Sequence, residues 1–283
     1  FSIFLIFNLT FVTSAQAAAT EFVDSFDVSN QDSLPQGIAF NNDGTKMFVV
    51  GNTGEDVNEY TLSTGFDVSS ATFVVAFDVS AQDNIPTGLA FNNDGTKMFV
   101  VGISDDEVSE YTLSTGFDLT STVSHVVEFD VSNQDISPFA IAFNNDGTKM
   151  FMTGVTGDDV NEYTLSTAFD LTSTVTFVDA FSIAAQGTSP QGLAFNNDGT
   201  KMFMVELGGK DVNEYTLSTG FDVSTAVFRD FNGDGTGFSV ADISATGLAF
   251  NNDGTKMFVV GADGKDVNEY TLNNGFDLFG DPN

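Results

Sequence analysis

The nonapeptide Phe-Asn-Asn-Asp-Gly-Thr-Lys-Met-Phe occurs five times, beginning at Phe40, Phe91, Phe143, Phe195 and Phe250, so the 283-residue chain repeats itself at intervals of 51, 52, 52 and 55 residues. A unit of that length is one supersecondary piece whose apolar faces must be covered by its neighbours, which narrows the fold to solenoids and propellers.

Within one unit, Gly37–Phe40 is a short run of small and apolar residues, and Asn41-Asn42-Asp43-Gly44 is a turn signal leading into Lys46–Val50. Met47 and Val49 alternate with Phe48 and Val50, so both faces of this second strand are apolar and need a neighbour on each side. A third strand over Val57–Leu62 follows a polar loop, and a fourth over Phe73–Val79 follows Ser63-Thr64-Gly65-Phe66-Asp67. Helical periodicity is absent from the repeats, so the reading is all-β: a propeller of four-stranded antiparallel blades.

The phase of the repeat points to how the ring closes, with six to eight blades the alternative if further repeats follow. The chain enters its first unit with a fourth-type strand, Phe22–Val28, and leaves its last after a third-type strand, Val267–Leu272. These ends are complementary, predicting five blades with the N-terminal strand completing the last one; residues 18–283 form that single domain.

The stretch Phe40–Val50 resembles the Phe-Ser-Pro-Asp-Gly-Thr-Lys hairpin of bacterial WD40-like, YVTN and NHL-type β-propeller repeats. The Trp-Asp pair of WD40 repeats is absent, and Glu59-Tyr60 stands near that place. The resemblance implies the architecture. It also implies a binding platform more readily than an enzyme, because such families mostly supply the former.

Forty Asp and Glu against eight Lys and Arg give a formal net charge of −32, which repels nucleic acid and anionic membranes and leaves cations or basic partners. Cysteine is absent, which removes disulfides and thiol chemistry; no organic cofactor is implied and a monomer is expected. Residues 1–17 form an apolar run ending in Ser14-Ala15-Gln16-Ala17, read as an N-terminally incomplete signal peptide. The expected location is therefore secreted or extracytoplasmic, in the periplasm or at the cell surface, with no membrane span after cleavage.

In an up-and-down blade the two-to-three loops share a face with the connections between blades, while the Asn-Asn-Asp-Gly turns occupy the other. The first face is varied and acidic. Its expected binding rim is Glu55, Asp56, Asp105, Asp106, Glu107, Asp158, Asp159, Asp211, Asp263 and Asp266. The long fourth interval holds Asp230-Phe231-Asn232-Gly233-Asp234-Gly235-Thr236, which resembles the Asp-x-Asn-x-Asp-Gly calcium loops of dockerin and FG-GAP repeats. Asp230, Asn232, Asp234 and Thr236 would then ligate Ca²⁺, with Asp242 closing the shell if the loop bulges by one residue. The single histidine, His125, takes the slot of Phe22, Phe73 and Phe177, and reads as a packed aromatic rather than a base. Tyr60, Tyr111, Tyr163, Tyr215 and Tyr270 recur once per blade and read as interblade packing. The leading functional reading is an exported, non-enzymatic binding or scaffold module; the alternative is a secreted lactonase- or glycosidase-like hydrolase using funnel carboxylates.

Overall fold

The computed structural model describes residues 20–207, 210–230, 233, 235–242 and 244–280. Strand β1 (Thr20–Asp27) precedes four blades: β2 (Pro35–Phe40), β3 (Lys46–Gly51), β4 (Asp56–Leu62) and β5 (Ala71–Asp78); then β6 (Pro86–Phe91), β7 (Lys97–Gly102), β8 (Glu107–Leu113) and β9 (Val123–Asp130). The third is β10 (Pro138–Phe143), β11 (Lys149–Gly154), β12 (Asp159–Leu165) and β13 (Val175–Ser182). The fourth is β14 (Pro190–Phe195), β15 (Lys201–Glu206), β16 (Asp211–Leu217) and an outer strand broken into β17 (Ala226–Phe228) and β18 (Phe238–Ser239). The fifth is β19 (Ala245–Phe250), β20 (Lys256–Gly261) and β21 (Asp266–Leu272), with β1 antiparallel to β21 from Thr20↔Leu272 to Asp27↔Asp266. The ring of five blades closes through its N-terminal strand, as the phase of the repeat requires.

The repeated turn shows why its residues recur. Gly44 has φ +70°, and a Cβ there would lie 2.2 Å from the Phe66 ring. Asp43 Oδ1 accepts both the Thr45 N–H at 3.0 Å and its hydroxyl at 2.6 Å, and Asn41 Oδ1 accepts the Lys46 N–H. The second Asn acts between blades. The Nδ2 of Asn42 donates to Asn93 O, Asn93 to Asn145, Asn145 to Asn197, Asn197 to Asn252, and Asn252 back to Asn42, a closed ring of amides around the axis.

Second strands are buried on both faces: Met47, Phe48, Val49 and Val50 are at most 1% exposed. Each tyrosine is wedged between sheets, Tyr60 meeting Phe26 of the preceding outer strand edge-on at 5.5 Å and Phe73 of its own blade at 5.8 Å. The recurring glutamates also belong to the architecture. Lys46 Nζ pairs with buried Glu59 at 2.7 Å and donates to Phe117 O in the next blade, while the Leu119 N–H donates to Glu59 Oε2. The same Lys-Glu staple recurs as Lys97–Glu110, Lys149–Glu162, Lys201–Glu214 and Lys256–Glu269, the last holding blade five to blade one. All five glutamates are buried and paired.

Candidate functional site: the varied face

Each two-to-three loop turns through one residue in the left-handed region: Glu55, Asp106, Asp158, Lys210 and Lys265, with φ between 50° and 57°. Its carbonyl accepts an N–H from the connection to the following blade, as Glu55 O does from Val79 at 3.0 Å. Each loop is therefore tied through its backbone to the connection beside it.

Of the ten rim carboxylates expected from the sequence, Asp105 and Asp263 are exposed and the other eight are half-buried. The reason is positional: Asp56, Glu107, Asp159, Asp211 and Asp266 open the third strands and face the outer strands, Asp56 opposite Asp78, Glu107 opposite Asp130 and Asp266 opposite Asp27. Burial pushes Asp56 and Asp159 up to about 6, against hydrogen bonds from Asn58 and Asn161 that pull the other way. Burial likewise raises Asp106, Glu107 and Asp266, with neighbouring carboxylates adding to it.

Charge is unevenly spread around the rim. Five lysines serve the staples, and Arg229 pairs with Glu214 and Asp277. The remaining two cations, Lys210 and Lys265, stand in the loops of blades four and five. Blades one to three thus present an arc of acids, Glu55 to Asp159, without an interspersed lysine.

Beneath the rim lies a latch of buried carboxylates. Asp32, Asp83 and Asp135 are no more than 6% exposed. Asp32 Oδ1 accepts the Leu34 N–H at 2.6 Å and Oδ2 the Gly54 N–H at 2.7 Å, tying the blade entry to the two-to-three loop. Asp135 does the same with Ser137 and Gly157. The facing residue must lack a side chain, since a Cβ on Gly51 would lie 2.1 Å from Asp32 Cγ. In blade four both members exchange: Gly187 stands where the aspartate should be and Glu206 where the glycine should be, with Glu206 Oε2 1.2 Å from a Cβ built on Gly187. Glu206 is 4% exposed, accepts from Asn213 Nδ2 at 2.8 Å, and is raised by burial. The carboxylate has crossed to the other strand.

Asp242 is the latch of blade five, its Oδ1 accepting from the Ser244 N–H and its Oδ2 from the Gly264 N–H at 2.9 Å. Its carboxylate is accounted for by the repeat, which leaves Asp230 and Thr236, both exposed, as the described candidates for Ca²⁺. Asp230 Oδ1 accepts the Gly235 N–H at 3.2 Å. Asn232 and Asp234 lie outside the described residues, as does the signal-like run, and among the described residues no group of three acidic, His or Cys side chains is arranged for a metal.

At the axis the inner strands nearly touch. A Cβ on Gly88 would lie 2.4 Å from Phe139 O and one on Gly247 2.6 Å from Gln36 O, leaving an axial cavity of about 40 Å³, room for a few waters. Above it the channel opens on the varied face into a mouth of about 310 Å³ whose lining comes from all five blades and includes one carboxylate, Asp263. His125 is distant in role: it packs edge-on against Tyr111 at 5.5 Å, as Phe73 does against Tyr60, and its Nε2 lies 3.4 Å from Glu128.

No family model and no curated protein matches this chain. Solved structures do. A functionally unknown protein from Desulfotomaculum acetoxidans DSM 771 superposes with a TM-score of 0.51 at 16% identity, over 85% of this chain and 69% of that one. Streptogramin B lyase gives 0.50 at 15%, over 91% and 100%, and a luciferin-regenerating enzyme 0.52 at 12%, over 91% and 97%. The likeness is one of fold. Among the described residues no helix is long and apolar enough to cross a membrane.

Proposed function

We propose that this chain is an exported, non-enzymatic binding or scaffold module whose varied face engages a basic partner through the acid arc of blades one to three. The observation that carries this reading is the placement of charge. Carboxylates ring the rim, while the axial cavity is lined by glycines, aliphatic side chains and the hydroxyls of Thr87 and Thr246, and among the described residues the mouth above it is lined by one carboxylate, Asp263. A glycosidase-like hydrolase would need two acids ~5–9.5 Å apart in unlike environments at that centre. Enzymes share the fold, the lyase among them, but that arrangement is what the hydrolase reading requires and the mouth offers one acid. The raised Asp56, Asp106, Glu107 and Asp159 support the proposal further, because a docked cation would favour their ionised forms.

The test uses a Lys-rich peptide titrated calorimetrically at pH 6.5 in two buffers of different ionisation enthalpy. Binding should release protons. Neutralising Glu55, Asp105, Asp106 and Asp158 to their amides should weaken it about tenfold or more, an effect of ~1.4 kcal/mol, whereas neutralising Glu21, Asp24, Glu128 and Asp179 on the outer strands should not. Equal losses from both sets would reduce the interaction to overall charge and refute a specific arc.

A further inference from the structure

The mouth of the axial channel holds a second, chemically different feature. Its floor takes one residue from each blade at the same repeat position, directly after the residue that opens the inner strand: Gln36, Thr87, Phe139, Gln191 and Thr246. The next position is nearly uniform, Gly37, Gly88, Ala140, Gly192 and Gly247, so the backbone beneath is a fixed platform and the floor side chains are what differ.

Two of those side chains are buried amides with unspent capacity. Gln36 is 8% and Gln191 2% exposed, and the bond each makes is long: Gln36 Nε2 to Leu34 O at 3.4 Å and Gln191 Nε2 to Ser189 Oγ at 3.4 Å. A primary amide offers two donors and a carbonyl acceptor, and a buried amide left short of partners is costly. The threonines are already used, Thr87 Oγ1 bridging to Val101 O and Pro138 O, and Thr246 Oγ1 to Pro35 O, each at 3.1 Å. Around the amides the lining is apolar: half-buried Phe139 and Ile103, with Leu34 45% and Leu207 49% exposed. Asp263 at the edge already accepts the Ser244 hydroxyl at 2.9 Å.

We infer that this mouth is a binding site for a neutral monosaccharide unit, free or terminal on a glycan. Hydroxyl groups are donors and acceptors at once and match the two amides, while the C–H face of a pyranose packs on Phe139 and the aliphatic rim. An anion is repelled by the surrounding acids, and a cation finds one carboxylate, already engaged. A volume of about 310 Å³ stands at the small end of the ~300–1,000 Å³ range for ligand pockets, which suits one ring.

The experiment is saturation-transfer NMR with glucose, galactose and mannose, each on the intact chain, on Gln191→Ala and on Phe139→Ala, with thermal melts of all three proteins. At least one hexose should bind with a Kd on the order of 1 mM, and each variant should weaken it about tenfold or more while its melt stays close to the parent's. Glucuronate should bind worse than glucose. Absence of transfer for all three hexoses, or binding unchanged in both variants, overturns the site. If a variant unfolds, Gln36→Ala replaces it with the same criterion. Because the basic-peptide titration does not involve Gln191 or Phe139, its outcome is independent of this one.

Discussion

The exchanged latch of blade four lends itself to a double-mutant cycle. Gly187→Asp restores the side chain found at Asp32, Asp83 and Asp135, but its Cβ falls 1.2 Å from Glu206 Oε2. Glu206 must leave, and two carboxylates then compete for one buried position, a loss of about 3 kcal/mol or more from overpacking and like charge. Glu206→Gly alone removes the acceptor of Asn213 Nδ2 and empties the buried position that the carboxylate fills; the expected loss is ~1–3 kcal/mol. Together the changes recreate the Asp-Gly latch, so the double variant should return to within about 1 kcal/mol of the parent, a coupling of at least ~2 kcal/mol. Far-UV circular dichroism reads the thermal and urea transitions, and 3 kcal/mol corresponds to a drop of roughly 6–12 °C in a domain of this size. Additive single losses, or a double variant worse than either single, would refute the account of the latch.

Three further outcomes follow from the same geometry. Asp56 and Asp159 stand at about 6 when folded against 3.8 for the free side chain, so their protonated forms are favoured in the fold and stability declines as pH rises from about 4 through about 6. Both are half-buried, so solvent screening leaves each on the order of 1 kcal/mol; the melting temperature should fall between about pH 4 and pH 6, and Asp56→Asn with Asp159→Asn should flatten that fall, a pH-independent melt of the parent counting against it. Deleting β1 uncovers the whole length of β21 and strips Phe26 from Tyr60, so it should remove most of the cooperative transition, whereas trimming 281–283 should change the melt by less than ~0.5 kcal/mol; equal effects would contradict closure through the N-terminal strand. Finally, millimolar Ca²⁺ added to chelated protein should raise the melting temperature if Asp230, Asn232, Asp234 and Thr236 bind it, by up to ~2.7 kcal/mol at a hundredfold excess over Kd, and Asp234→Ala should abolish the rise; no rise means no site.

The blade count, the strand order and the closure were legible because they rest on local signals and on phase: a turn solved once and copied, and two ends that complement each other. The tyrosines and His125 were legible for the same reason, since each occupies a slot whose other occupants are visible in the repeat. What escaped was whatever depends on the next blade. Nothing near Glu59 announces that its partners are Lys46 on one side and the Leu119 N–H sixty positions on. Similarly, Asp32 and Asp56 look alike in sequence, yet the first is a buried latch and the second a half-buried strand opener, because burial is set by how the connection folds over the loop. The Gly187/Glu206 exchange did carry a signal: two positions depart from the repeat in the same blade, and in opposite directions of size. Asp242 fell within the stretched fourth interval and was read with it, although its spacing to Ala245 is that of Asp32 to Pro35.

The central claim is that recognition belongs to the varied face and architecture to the constant one. Hydrogen exchange on the chain with a partner captured from its native surroundings tests this most directly. Slowed exchange is expected in 52–56, 103–107 and 155–159, the loops that carry the acid arc. Protection confined instead to the Asn-Asn-Asp-Gly turns at 41–44, 92–95 and 144–147 would place the partner on the opposite face and contradict the account.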